Sequence, residues 1–101
     1  MGFVKVASAG MLGPAQKLGV EAGGRKILLT NIDGPFYAIG DYCTHLSCFL
    51  SDGQLRGENI QCSCHGSIFN VKTGAVIKGP AKKPEMTYQV KVDGDQVMVN
   101  I

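Results

Sequence analysis

The chain has 101 residues, a net charge of +2 and a hydrophobic fraction of 45%. This length fits one domain, so residues 1–101 are expected to fold as a single unit with a modest apolar core. The charge is too small to indicate nucleic acid, and four Phe, three Tyr and no Trp exclude a base-stacking surface. We find no run of 18 apolar residues and no signal-peptide pattern, and therefore expect a cytoplasmic protein without a membrane span.

Short runs of alternating apolar and polar residues predict β-strands along the whole chain. Gly23 and Gly24 indicate a hairpin turn between two of these runs, and residues 93–95 indicate another. No segment keeps a helical period over eleven residues, so the expected fold class is all-β, an antiparallel sandwich or small barrel. The predicted strands, in chain order, cover residues 3–7, 16–21, 25–30, 36–39, 59–62, 67–71, 75–77, 86–92 and 96–101.

The cysteines and histidines are confined to one part of the chain. All four cysteines lie between positions 43 and 64, and the only two histidines are His45 and His65. A disulfide scaffold normally spreads its cysteines more widely, because it has to cross-link several loops. This clustering therefore indicates a metal site.

The spacing of four of these residues narrows the kind of metal site. Cys43 and His45 form a C-x-H group, and Cys62 and His65 form a C-x-x-H group. Two thiolates and two imidazoles bind either Zn²⁺ or an iron–sulfur cluster. A spacing of two residues is unusual for zinc, whereas a binuclear cluster can take one Cys and one His from each loop. A structural zinc site in a binding module stays open as the alternative.

The two groups together resemble the signature of Rieske proteins, in which His replaces Cys on one iron of a [2Fe–2S] cluster. Residues 43–48 and 62–67 resemble the two cluster loops of the Rieske subunits of cytochrome bc₁ and b₆f complexes, and residues 77–81 resemble their proline loop. The resemblance implies one cluster per chain and a cluster-binding subdomain, at about residues 41–81, inserted in a basal β domain. It also implies that one iron binds both Cys ligands and the other binds both His ligands, namely Cys43, Cys62, His45 and His65.

The resemblance extends to residues around the cluster. Cys48 and Cys64 match an extra pair that forms a disulfide bond between the loops, with two buried thiols as the alternative. Ser67 matches a serine whose hydroxyl donates to a bridging sulfide, although a serine here could also cap a turn. Phe69 stands where high-potential members carry a tyrosine that donates to a ligand sulfur, and Phe has no such donor.

The remaining implications concern the cover of the cluster and the function. Leu46, Gly79 and Pro80 match residues that shield the cluster. The resemblance implies a soluble, monomeric one-electron carrier that exchanges electrons with a reductase and a terminal acceptor. The alternative is a small Rieske subunit of a larger oxidoreductase. We expect no catalytic residue and no enzymatic activity, because no nucleophile–base pair or substrate pocket is indicated.

Lysines dominate the charge of the segment between positions 72 and 91, which contains one acidic residue, Glu85. Such a segment can form a docking face for an acidic redox partner, or a solvated sheet edge protected by lysine. The sequence favours the solvated edge for most of them and leaves Lys82 and Lys83 open. The lysines concerned are Lys72, Lys78, Lys82, Lys83 and Lys91.

Overall fold

A computed structural model describes residues 2–42, 48–64, 66–79 and 81–101. In these ranges the chain forms β-strands and two short 3₁₀ turns, Ala9–Met11 and Leu50–Asp52, and no α-helix. The predicted all-β fold class is confirmed. The strands are β1 Phe3–Ser8, β2 Gln16–Ala22, β3 Arg25–Asn31, β4 Phe36–Gly40, β5 Gln54–Arg56, β6 Asn59–Gln61, β7 Ile68–Asn70, β8 Val76–Lys78, β9 Thr87–Tyr88, β10 Val90–Asp93 and β11 Gln96–Asn100.

The strands form three antiparallel sheets, in the orders β1-β11-β10, β2-β3-β4-β9 and β5-β6-β7-β8. The prediction of one strand over residues 86–92 is wrong, because the chain changes sheets at Gln89. β9 pairs with β4, whereas β10 pairs with β11. β5 was not predicted, since three residues are too few to show a period. Within the described ranges, no helix has the length and apolar character that crossing a membrane requires.

Strands β3 and β4 form a wall between two apolar cores. Ile27 and Leu29 face the core shared with β1, β10 and β11, whereas Leu28 faces the core beneath the third sheet. In β4, Ala38 packs in the same core as Ile27 and Leu29, and Ile39 packs in the same core as Leu28. Successive side chains of a strand point to opposite faces, so a continuous apolar run is required where both faces are buried.

The third sheet brings two loops to one of its ends. Its register places Gln54, Gln61, Ile68 and Lys78 side by side across β5, β6, β7 and β8. The connection of residues 62–67 between β6 and β7 therefore leaves the same end as the segment that follows Lys78. We call this the loop end of the third sheet. The β5–β6 and β7–β8 turns lie at the opposite end.

Candidate metal centre

The structure describes one of the four predicted ligands, Cys62. The other three, Cys43, His45 and His65, lie outside the described residues, and so do Leu46 and Pro80. Within residues 2–42, 48–64, 66–79 and 81–101, no group of three or more His, Cys, Asp or Glu side chains is placed to hold a metal ion. The description below therefore concerns the residues that surround and support the predicted ligands.

The loop of residues 62–67 is a tight turn that begins at Cys62. The amide of Cys62 donates to the Ser67 carbonyl at 2.7 Å, and the amide of Gly66 donates to the Cys62 carbonyl at 3.1 Å. Gly66 has a φ of +77°, a conformation that residues with a Cβ rarely adopt. Cys62 is only 2% exposed and packs in the core with Ile60 and Phe69. The turn thus starts from a fixed, buried position.

The two ends of the preceding loop are held together below residues 43–47. Tyr42 and Phe49 form a β-bridge, and their rings lie 5.0 Å apart between centroids. The Leu50 amide donates to the Asp41 carbonyl at 2.6 Å. Asp41 and Leu50 are both buried, so the chain enters and leaves this loop from the core.

The Asp41 carboxylate ties the same two chain segments together. Its two oxygens accept hydrogen bonds from the Ser51 amide at 2.7 Å and from the Ser51 hydroxyl at 2.8 Å. Burial raises the pKa of Asp41, and the two hydrogen bonds from Ser51 oppose that rise. The Lys17 ammonium donates to the Ser51 carbonyl. Sequence reasoning missed this clamp, because an isolated Asp and a Ser ten positions apart form no recognisable motif.

A disulfide bond joins the two loops. Cys48 and Cys64 are bonded, with their Cα atoms 6.4 Å apart and a sequence separation of 16 residues. The predicted pairing is confirmed, and the alternative of two buried thiols is wrong. Cys64 lies two residues after Cys62, so the bond fixes the first loop directly against the second.

The segment of residues 79–81 is attached to the second loop through Ser67. The Ala81 amide donates to the Ser67 hydroxyl oxygen at 3.0 Å, and both residues are buried. Within the described chain, the Ser67 hydroxyl proton meets no recorded acceptor. Gly79 is exposed beside this contact, and the Phe69 ring is fully buried in the core. Ser67 therefore anchors the third segment to the second loop.

Gly53 allows the chain before β5 to approach β6 closely. A Cβ built on Gly53 would overlap the Gln61 carbonyl oxygen, so the close approach requires glycine. Beside it, Asp52, Gln54, Gln61 and Ser63 line an open cleft of about 350 Å³ together with Cys62. One side of the Cys62 turn is thus open to solvent.

The chain matches a known protein family over nearly its whole length. The family model described as Rieske [2Fe-2S] domain matches residues 2–99. The chain is also 38% identical over 101 residues to the ferredoxin component of a biphenyl 2,3-dioxygenase from Rhodococcus jostii (strain RHA1). That match covers 100% of this chain and 94% of the relative.

Solved structures are similar over the same extent. The ferredoxin of carbazole 1,9a-dioxygenase from Nocardioides aromaticivorans IC177 has a TM-score of 0.93 and 30% identity, covering 98% of this chain and 97% of that one. A chain from a complex of reduced oxygenase and oxidized ferredoxin in carbazole 1,9a-dioxygenase has a TM-score of 0.91 and 34% identity. The second match covers 96% of this chain and 91% of that one.

Replacing both cysteines of the disulfide bond, Cys48→Ser with Cys64→Ser, should lower the free energy of unfolding by about 3 kcal/mol, because the bond closes a loop of roughly 15 residues. Urea unfolding followed by far-ultraviolet circular dichroism measures the loss. Addition of a thiol reductant to the unsubstituted protein should shift its midpoint towards that of the variant. Equal midpoints for the variant and the oxidised protein would contradict a stabilising role.

Removal of the hydroxyl donor to Asp41, by Ser51→Ala, should lower the free energy of unfolding by about 1–3 kcal/mol, because a buried carboxylate oxygen then lacks its donor. The same urea experiment measures the loss. Ser8→Ala is the matched control, since the Ser8 side chain caps no helix and no hydrogen bond from its hydroxyl is found in the described chain. A midpoint for Ser51→Ala as high as that of Ser8→Ala would show that the clamp contributes nothing.

Proposed function

This chain belongs to the Rieske [2Fe–2S] domain family, and from that premise we propose that Cys43, His45, Cys62 and His65 hold its cluster. Its cofactor is a Rieske-type [2Fe–2S] cluster, and its function is that of a ferredoxin, the transfer of electrons. The bound cluster supplies one-electron reduction and oxidation at a potential raised by its imidazole ligands. The assignment gives Cys43 and Cys62 to one iron, and His45 and His65 to the other.

The observation that carries this assignment is the junction at Cys62. Its sulfur belongs to a buried residue at the start of a tight turn, two residues from the cysteine that is bonded to Cys48. Cys48 lies in the loop that the Tyr42–Phe49 bridge closes, and the same loop contains Cys43 and His45. Both predicted ligand pairs therefore belong to loops that are covalently joined, which favours their sharing one binuclear group.

The surroundings of the turn support roles for the other predicted residues. The Ser67 hydroxyl has an amide donor in Ala81 and keeps its own proton for a sulfide of the cluster. A donor to sulfur stabilises the reduced state, in which the cluster carries more negative charge. Leu46, Gly79 and Pro80 belong to the segments expected to limit the access of water.

We also propose that residues at about 41–81 form a cluster-binding subdomain of a single domain spanning residues 1–101. The third sheet and its core support this division, because β5, β6, β7 and β8 all lie within that segment. The β3–β4 wall would then join the subdomain to the basal sheets, since it contributes side chains to both cores.

As a ferredoxin, the chain would carry electrons from a reductase to the terminal oxygenase of a dioxygenase system, in the cytoplasm and as a monomer. The names of its relatives support this role, because they are ferredoxin components of dioxygenases. We propose no substrate site, since the donor groups at the centre are all assigned to the cluster or to the residues that hold the two cluster loops in place. A small subunit in a permanent oxidoreductase complex is the alternative that copurification would reveal.

The ligand assignment predicts that Cys62→Ser and His65→Ala each abolish cluster binding, because each leaves one iron with a single protein ligand instead of two. Iron and sulfide content, visible absorption and pulsed electron paramagnetic resonance of the reduced protein measure the outcome. Nitrogen couplings from two imidazoles are expected in the unsubstituted protein. A colourless, zinc-containing product would contradict the assignment.

The matched control is Cys48→Ser with Cys64→Ser, which removes two cysteines of the same loops but no proposed ligand. This variant should retain two irons and two sulfides per chain, with reduced stability. Loss of the cluster from the control and its retention in Cys62→Ser would reverse the assignment of the two cysteine pairs.

Loss of the Ser67 hydroxyl, by Ser67→Ala, should lower the reduction potential by about 20–60 mV, because the reduced cluster loses a hydrogen bond. Such a bond contributes about 0.5–1.5 kcal/mol, and about 1.4 kcal/mol corresponds to about 59 mV for one electron. A redox titration followed by absorption measures the shift. Ser63→Ala, in the same loop but exposed, should leave the potential unchanged. Equal potentials for both variants would show that Ser67 only anchors Ala81.

A further inference from the structure

The lysines between positions 72 and 91 separate into two groups in the structure. Lys72 lies in the β7–β8 turn, at the end of the third sheet opposite the loop end. Its ammonium is 3.3 Å from the Glu58 carboxylate. This ion pair raises the pKa of Lys72. Lys91 lies in β10, in a different sheet, with its ammonium 5.8 Å from the centroid of the Phe3 ring. Both of these lysines are away from the loop end.

Two of the other three lysines lie where the third sheet ends beside the second loop. Lys78 is the last residue of β8 and pairs with Ile68, the first residue of β7. Lys82 directly follows Ala81, whose amide is bonded to Ser67. Both side chains are exposed. We call Lys78 and Lys82 the cationic edge.

In the described part of the chain, neither Lys78 nor Lys82 forms an ion pair with an acidic side chain. Glu85, the one acid between positions 72 and 91, is only 8% exposed and lies in the interior. Asp52 is exposed, but it precedes β5, at the opposite edge of the same sheet. The charge along β8 is therefore positive, whereas beside β5 Asp52 lies near the Lys17 ammonium, which donates to the Ser51 carbonyl.

On the basis of the proposed function, we propose that the cationic edge is the docking surface for a redox partner protein that carries Asp and Glu side chains around its own redox centre. Positive charge close to the electron-transfer site accelerates encounter with such a surface and fixes its orientation. Ile77, 54% exposed in β8, supplies an apolar contact beside the charges. The positive charge along β8 orients the partner with its acidic patch over that strand.

The test measures the local field at the cluster with two small oxidants of opposite charge. The reduced holoprotein is mixed with hexacyanoferrate(III), or with tris(1,10-phenanthroline)cobalt(III), and each takes one electron from the cluster. The variant is Lys78→Gln with Lys82→Gln. The matched control is Lys5→Gln with Lys91→Gln, which removes the same charge from exposed residues of the basal sheets. The ratio of the two rates cancels any change in driving force.

The ratio of the anion rate to the cation rate should fall about ten-fold in the Lys78/Lys82 variant and less than about two-fold in the control, at low ionic strength. The difference should vanish at high salt, where charges are screened. Equal ratios for the variant and the control would overturn the proposal, because the edge would then impose no field on the cluster.

Poly-L-glutamate serves as a defined acidic macromolecule in the second arm. It should slow the oxidation of the unsubstituted protein and of the control by the cobalt complex, and leave the Lys78/Lys82 variant almost unaffected. Equal inhibition of all three proteins would overturn the proposal.

A protein that binds no cluster shows no absorbance change with either oxidant, and both proposals then fail. A protein with an intact cluster and equal rate ratios leaves the proposed function standing and removes only the docking surface.

Discussion

The disulfide bond between Cys48 and Cys64 is the covalent restraint on which the arrangement of the centre rests, because it joins the loop between β4 and β5 to the loop between β6 and β7. One loop is closed at its base by Asp41 and Ser51, and the other begins at buried Cys62. Each base fixes its own loop, and the covalent bond adds a direct restraint between the two loops. That restraint stabilises the arrangement in which a binuclear group is shared between them.

The wall formed by β3 and β4 connects the basal sheets to the centre, because its side chains pack in both apolar cores. Ile27, Leu28 and Leu29 are fully buried, and burial of each such side chain contributes about 1.5–3 kcal/mol. Asp41 follows directly after β4, so the first loop starts from the end of a strand that is packed on both faces. The Ser67–Ala81 bond extends the same support to the third segment.

The extra cysteine pair and the relatives point to different branches of one family. Cys48 and Cys64 led the sequence comparison towards the Rieske subunits of cytochrome complexes, whereas the matched proteins are named as ferredoxin components of dioxygenases. The disulfide bond is compatible with both, because it restrains the loops whatever the partner. Partner choice is a matter of the surface, where the cationic edge and Asp52 lie on opposite sides of the turn.

The sequence by itself predicted the ligand types and the all-β class, because these predictions depend on residue chemistry and on a period of two. The pairing of Cys48 with Cys64 was predicted through the resemblance. Only the tertiary structure decided the clamp between Asp41 and Ser51, the bond between Ser67 and Ala81, and the short strand β5. The same holds for the lysines, since the sequence places Lys72 and Lys78 in one run. The sheet puts them at opposite ends, because Lys72 lies in the turn before β8 and Lys78 is the last residue of that strand.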